Sequence, residues 1–456
     1  MADTTSSPRA APGADDRCDV AVIGGGGAAE ALVAALRPHG LRTVVVEKRR
    51  VGGTCPFTAC MPSKAMLHDA TGSTRWERAV LRRDEVVEHL DDQGHAEDLE
   101  RKGARLVRGT ATIVDEHTID VDGTRLHADH LVLATGSSPV MPHIDGLGDL
   151  GDHLWTSDDA LTARDRPARL MVLGGGPIGC ELAHLFAGFG TEVHLVDTDD
   201  RAFPDLPEAI GEIVDDDLRA AGVRVCRGRS AVRFERRGGN VRITLDNEGT
   251  VVADRVVVAI GRAPSLAGLG LDVLGLDADE PLPVDETGRV DCPGSVWAIG
   301  DVAGKGQYTH LANHHGAVVG EHIAAEASGG EPSRRFDDVV VPACIFTRPP
   351  VMMVGPTPNE LGDDVIWVEA RLSEVARWTT DALGDGFLTV AVDPTSRRVV
   401  AAHGAGERFD ELAAALVTAI DGKVPVDRLA MSMWPFPTVG ELLGPIYQRA
   451  LDALDG

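Results

Sequence analysis

Two stretches of the chain, CDVAVIGGGGAAEALVAALRPHGLRTVVVEK at 18–48 and ARLMVLGGGPIGCELAHLFAGFGTEVHLVDT at 168–198, follow one plan. Each runs from an apolar strand through a glycine turn and a helix-period segment to a second apolar strand that ends on an acid. Gly24 precedes Glu47 by 23 residues, and Gly174 precedes Asp197 by the same 23. Such a repeat implies two βαβ units, each pairing parallel strands around a crossover helix. In the first, Gly24 permits the tight turn, Gly26 lets backbone approach a pyrophosphate, and the small Ala29 lets helix pack on strand. Glu47 then stands where a carboxylate accepts hydrogen bonds from ribose hydroxyls. Gly174, Gly176, Gly179 and Asp197 repeat the arrangement. An acid at that strand end repels a 2′-phosphate and so favours NAD(H) over NADP(H). Arg201, four residues on, either softens that repulsion or is a solvated loop cation.

Each unit has a later strand and turn, HLVLATGSSPVMP at 130–142 and RVVVAIGRAPSL at 255–266, and SVWAIGDVAG follows at 295–304. The order predicts an α/β architecture of two doubly wound nucleotide-binding domains. The first covers 17–152 and is completed by 276–335 after the second, 153–275, is inserted. Residues 336–456 change character, with runs such as GFLTVAVDP and FDELAAALVTAIDG, and predict an α+β domain with a mixed sheet. A net charge of −27 argues against nucleic-acid or anionic-membrane partners. No apolar run reaches the roughly 20 residues that span a bilayer. Residues 1–16 are polar and read as a disordered tail, not a signal peptide. Seven scattered cysteines suit a reducing cytoplasm.

In such a compartment a close cysteine pair is more often catalytic than structural, and VGGTCPFTACMPSKAML at 51–67 holds Cys55 and Cys60. Five residues of unbroken helix separate their Cα atoms by about 7.5 Å along the axis, beyond the roughly 7 Å limit for a disulfide. A bridge therefore needs a bent backbone. Pro56 blocks helix running back from the bend and Pro62 suits only a first turn, so the regular helix is expected to begin near Cys60, where N–H groups and the helix dipole stabilise a thiolate.

The chain resembles the pyridine nucleotide-disulfide oxidoreductases over about residues 17–445. The most specific piece is GGTCPFTACMPSK; ATG at 134–136, GGGPIGCE at 174–181, AIGRAP at 259–264, AIGDVAG at 298–304 and VPACIFTRPPVMMVG at 341–355 follow in order. The resemblance implies FAD in the first domain, NAD(P)H in the inserted one and a homodimer built on the last. It makes Cys60 the thiol against the flavin and Cys55 the thiol that meets the substrate, a small-molecule electron acceptor. Lys64 would lie near the flavin and pair with Glu181, Asp301 would bind the ribityl chain, and the helix starting near His310 would point its N-terminus at the flavin. With the two glycine motifs and their acids, the implied cofactor set includes Gly53, Thr54, Thr135, Gly136, Gly261, Gly300, Asp301, Thr309 and His310. His310, His314 and His315 give no complete metal-ligand set, so no metal is expected.

One departure matters. The family's disulfide reductases carry His-Pro-Thr and a glutamate near the C-terminus, a dyad that protonates the leaving thiolate across the dimer. Here Pro437, Thr438 and Glu441 remain, but Phe436 fills the histidine slot. Phenylalanine cannot move a proton, and general acid–base help is typically worth about 10²–10⁴-fold. Glu441 is then either a retained catalytic acid or a structural carboxylate. Mercuric reductases of the family also lack the histidine but end in a vicinal cysteine pair, whereas no cysteine follows Cys344 here. Phe57, Trp434 and Phe436 are expected to make the substrate side of the cysteine loop aromatic, which favours a flat or apolar acceptor. Three activities remain open: reduction of an activated small disulfide through Cys55 and Cys60, direct reduction of a quinone by flavin, and a redox-responsive flavoprotein with little turnover.

Overall fold

Unbroken runs of valine and leucine fit strands covered on both faces, and they form the central parallel strands of two sheets, the first mixed and the second wholly parallel. The computed structural model describes residues 16–456, so all of the expected N-terminal tail except Asp16 lies outside the described residues. The chain divides into two units. The first takes the chain up to Phe57, Leu90–Ser138 and Ala263–Asp338; the second takes Thr58–His89, Pro139–Arg262 and Val339–Gly456.

In the first unit, Arg17–Ile23 lies between Thr43–Glu47 and Thr124–Leu133 and is parallel to both, with Arg105–Arg108 beyond Thr43–Glu47. Thr124–Leu133 takes two neighbours in succession on its other side. Its start pairs antiparallel with Thr118–Val121, and its last three residues pair parallel with Val296–Ala298. Val20, Ala21 and Val22 are fully buried, each valine contributing about 1.5–3 kcal/mol. Helix Gly27–Leu36 packs on helix Thr309–Ser328 so closely that a Cβ on Gly316 would lie 2.1 Å from the Ala28 carbonyl oxygen.

The second unit holds a wholly parallel sheet in the order Arg224–Cys226, Glu192–Val196, Arg169–Leu173, Arg255–Val258 and Leu154–Trp155. It also holds a five-stranded sheet, Pro342–Ile345, Val351–Val354, Arg398–Ala405, Phe387–Asp393 and Ile366–Arg371, in that spatial order. Every pair in this second sheet is antiparallel, which corrects the expectation of a mixed sheet. Connections such as 346–350 and 394–397 are too short for the crossover a parallel pair requires. Helices Phe409–Asp421 and Leu443–Asp455 pack against it, the second burying Tyr447 completely. Among the described residues no helix is long and apolar enough to cross a membrane.

Candidate active site

Within the first unit the glycine turn is shaped by backbone. Gly24 has φ +107°, and a Cβ there would stand 2.3 Å from the Ala134 carbonyl oxygen; only glycine fits. The helix Gly27–Leu36 starts at the next turn with Gly26 as its cap and Ala29 buried beneath. Gly52 and Gly53 run past it, the Gly52 N–H donating to the Gly25 carbonyl at 2.8 Å. Glu47 closes the turn: its Oε2 accepts the Gly25 N–H at 2.7 Å and its Oε1 accepts the Arg49 N–H at 2.6 Å. Each oxygen keeps a lone pair for a further donor.

Thr135 Oγ1 is buried without a partner, and Asp301 accepts the Ser137 hydroxyl at 2.6 Å. A glycine cradle beside an orphaned hydroxyl fits a dinucleotide. Gly136 and Gly300 both have positive φ, and Thr309 and His310 form the exposed first turn of helix Thr309–Ser328, the His310 ring stacked on Tyr308. Replacing Gly24 by Ala should lower FAD affinity by more than about tenfold, read from the flavin-to-protein absorbance ratio after gel filtration.

The cysteine loop begins in this unit. Thr54 opens the short helix Thr54–Phe57, and Cys55 is half-buried. Phe57 is only 2% exposed and meets the His95 ring edge-on at 5.6 Å. It therefore does not line an aromatic acceptor face as expected; core burial outweighs exposure of a large apolar ring.

In the second unit, helix Cys60–Asp69 starts at Cys60 with Ala59 as its non-helical cap. Glu181 gathers its side of the helix: it accepts Lys64 Nζ at 2.8 and 3.1 Å, Ser63 Oγ at 3.0 Å and the Phe346 N–H at 2.9 Å. Changing Glu181 to Ala orphans these donors, at about 1–3 kcal/mol for each buried one. Lys64, 36% exposed, contributes less because solvent screens it. Hydrogen exchange across Cys60–Asp69 should accelerate by at least about tenfold, equivalent to 1.4 kcal/mol.

The second glycine turn repeats the first. Gly174 has φ +103°, Gly176 opens on free space, and a Cβ on Gly179 would overlap the Gly174 carbonyl at 1.9 Å. Gly261, at φ +128°, follows the strand Arg255–Val258 of the same sheet. Asp197 accepts the Gly175 N–H at 3.0 Å and is also paired with Arg227 at 2.6 Å. Arg227, with a side chain 6% exposed, reaches Asp215 at 2.9 Å and the Gly175 carbonyl at 3.2 Å as well. Arg201 is half-buried. Its guanidinium donates to the carbonyls of Leu206 and Pro204 in its own loop.

Three buried or half-buried thiols elsewhere are held back. Burial pushes Cys18 and Cys180 up to about 12 and Cys344 up to about 11, too high for a thiolate nucleophile near neutral pH. Glu441 accepts the Thr438 N–H at 2.8 Å in a capping box for the turn Val439–Leu442. Phe436 is 77% exposed and Met433 95% exposed. Arg227, Asp215 and the His95–Glu30 pair escape sequence reasoning; only their charge in otherwise apolar surroundings marks them, and that signal needs the fold.

Residues 18–317 match the family model described as pyridine nucleotide-disulphide oxidoreductase, and residues 341–445 match the dimerisation domain of that family. A dihydrolipoyl dehydrogenase from Pseudomonas aeruginosa is 31% identical, over 94% of this chain and 97% of its own. A mercuric reductase from Streptomyces lividans is 32% identical, over 93% and 94%. The solved structure of the HOCl-induced flavoprotein disulfide reductase RclA from Escherichia coli superposes with a TM-score of 0.82 at 26% identity, over 94% of this chain and 99% of that one. The chain belongs to the pyridine nucleotide-disulphide oxidoreductases, FAD-dependent enzymes that draw electrons from NAD(P)H.

Proposed function

We propose that this protein, a homodimer in the cytoplasm, passes electrons from NADH through the Cys55 and Cys60 pair to a small disulfide. The observation that carries this reading is the break between the two thiols. Cys55 lies on the turn Thr54–Phe57, Cys60 opens the next helix, and Ala59 between them has φ −131° and ψ −96°. The helical spacing that keeps such cysteines apart does not apply across that break. Cys60 at a helix start has a favourable dipole for a negative sulfur. Lys64, four residues on, shares its face, and Glu181 orients that cation.

Gly24, Gly26, Ala29, Glu47, Thr135 and Asp301 would hold FAD, across 17–152 and 276–335. Gly174, Gly176, Gly179 and Asp197 would hold NADH within 153–275. FAD, when bound, supplies the two-electron chemistry that links a nicotinamide to a disulfide. The thiols form and break the substrate's sulfur bonds, and Lys64 favours the thiolate over the thiol. Met431, Met433 and Phe436, all exposed, would meet the second copy within 336–456. The test is anaerobic treatment with one equivalent of NADH, then maleimide labelling and mass spectrometry. Both Cys55 and Cys60 should become labelled only after NADH; labelling unchanged by NADH would leave direct flavin chemistry as the better account.

A further inference from the structure

The run VPACIFTRPPVMMVG at 341–355 sets one side chain against the redox helix within the second unit. Phe346 follows strand Pro342–Ile345 directly and is half-buried, between the buried Ile345 and Thr347. Its N–H donates to Oε1 of Glu181 at 2.9 Å. Its ring centroid lies 4.6 Å from Nζ of Lys64, inside the roughly 6 Å over which an aromatic face attracts a cation. One residue thus touches both partners of the Lys64–Glu181 pair.

Glu181 alone does not fix that ammonium. Its Oε1 accepts the Phe346 N–H and Lys64, and its Oε2 accepts Ser63 and Lys64. The acceptor sites of the carboxylate are thereby filled, while the ammonium keeps a further N–H and a flexible stem. The ring face removes that freedom. Backbone holds the ring in place: its strand pairs with Val351–Val354, Phe346 is tied to Glu181, and the Thr347 hydroxyl donates to the Pro349 carbonyl at 2.8 Å. Cys344, two residues before Phe346 on the same extended segment, also feels the cation. Burial pushes its thiol up to about 11, and the Lys64 charge acts in the opposite direction.

We infer that Phe346 is a positioning residue for the thiol chemistry: its ring seats the Lys64 ammonium on the face of helix Cys60–Asp69 that carries Cys60. This rests on the Cys55 and Cys60 route proposed above. Lys64 favours a thiolate one turn away only while its charge stays on that face. Glu181 holds the charge from one side, and the phenyl ring closes the other. A leucine at 346 fills much of the same volume without a π face, so it removes the attraction and keeps most of the packing.

The experiment reads Cys60 itself, in holoenzyme carrying Cys55→Ser so that no reductant is needed to free the thiol. N-Ethylmaleimide takes the thiolate, and labelling of Cys60 is timed by mass spectrometry. Lys64→Met should slow it about tenfold. Phe346→Leu should slow it about threefold, as suits a partly exposed cation–π contact, and Phe346→Tyr, which retains a ring face, should stay within about twofold of the parent. In the Lys64→Met background Phe346→Leu should add nothing, because a residue that acts through another has no effect once that other is gone. Equal slowing by Phe346→Leu in both backgrounds, or none in either, would overturn the assignment and leave Phe346 as a packing residue. If Lys64→Met itself leaves the rate unchanged, the role of Lys64 in the thiol route is wrong, whatever Phe346 does.

Discussion

Cys55→Ser should abolish NADH-driven reduction of small disulfides, by more than about 10⁴-fold, as loss of an essential nucleophile does elsewhere. A serine hydroxyl does not ionise near neutral pH and does not attack sulfur, so neither exchange step proceeds. The fold should survive, because Cys55 is only half-buried on a four-residue helical turn and serine differs from it by one atom. The informative comparison is with a quinone acceptor. If the thiols carry the electrons to disulfides alone, NADH oxidation with a quinone persists in the variant while thiol release stops. Thiol release above about one-tenth of the wild-type rate would place the chemistry at the flavin. A residual activity so large exceeds anything that survives removal of a nucleophile.

Asp197→Ser should reverse the nucleotide preference. Arg227 is buried against two carboxylates, Asp197 at 2.6 Å and Asp215 at 2.9 Å, so in the intact protein neither end of its guanidinium is available to a ligand. Asp197 Oδ1 accepts the Asp199 N–H at 3.5 Å and keeps a lone pair for a ribose hydroxyl. Removing Asp197 takes away that acceptor and frees one end of the guanidinium, a group well matched to phosphate. NADH should bind about tenfold more weakly and NADPH about tenfold more tightly, a combined shift of about 2.7 kcal/mol at 1.36 kcal/mol per tenfold. Fluorescence titration of each nucleotide measures this without turnover. Equal weakening of both nucleotides would show that Arg227 only supports the turn.

What the sequence makes legible follows from range. Gly24 and Gly174 are readable because a positive φ and a carbonyl within 2.5 Å of the absent Cβ allow no other residue, and that demand is written at one position. The helix start at Cys60 is readable because Pro62, two residues on, suits only a first turn. The Lys64 side chain alone reads as surface; its pairing with Glu181, 117 residues away, is suggested only by resemblance to a family. Arg227 and Asp197 are 30 apart and His95 and Glu30 are 65 apart, with no periodicity to link them. Phe57 misleads for the opposite reason. A loop lacks the alternation that tells an inward ring from an outward one, so its burial against His95 emerges only from the packing.

The broken path of the chain through its first unit dictates an order of manufacture. Strand Val296–Ala298 completes the sheet by pairing with Leu131–Leu133, so a ribosome releases the first strands long before their last neighbour exists. The nascent segment that forms the parallel sheet of the second unit, Leu154–Val258, emerges whole in the meantime. It can fold while the N-terminal strands wait with an open edge, a state prone to unwanted pairing.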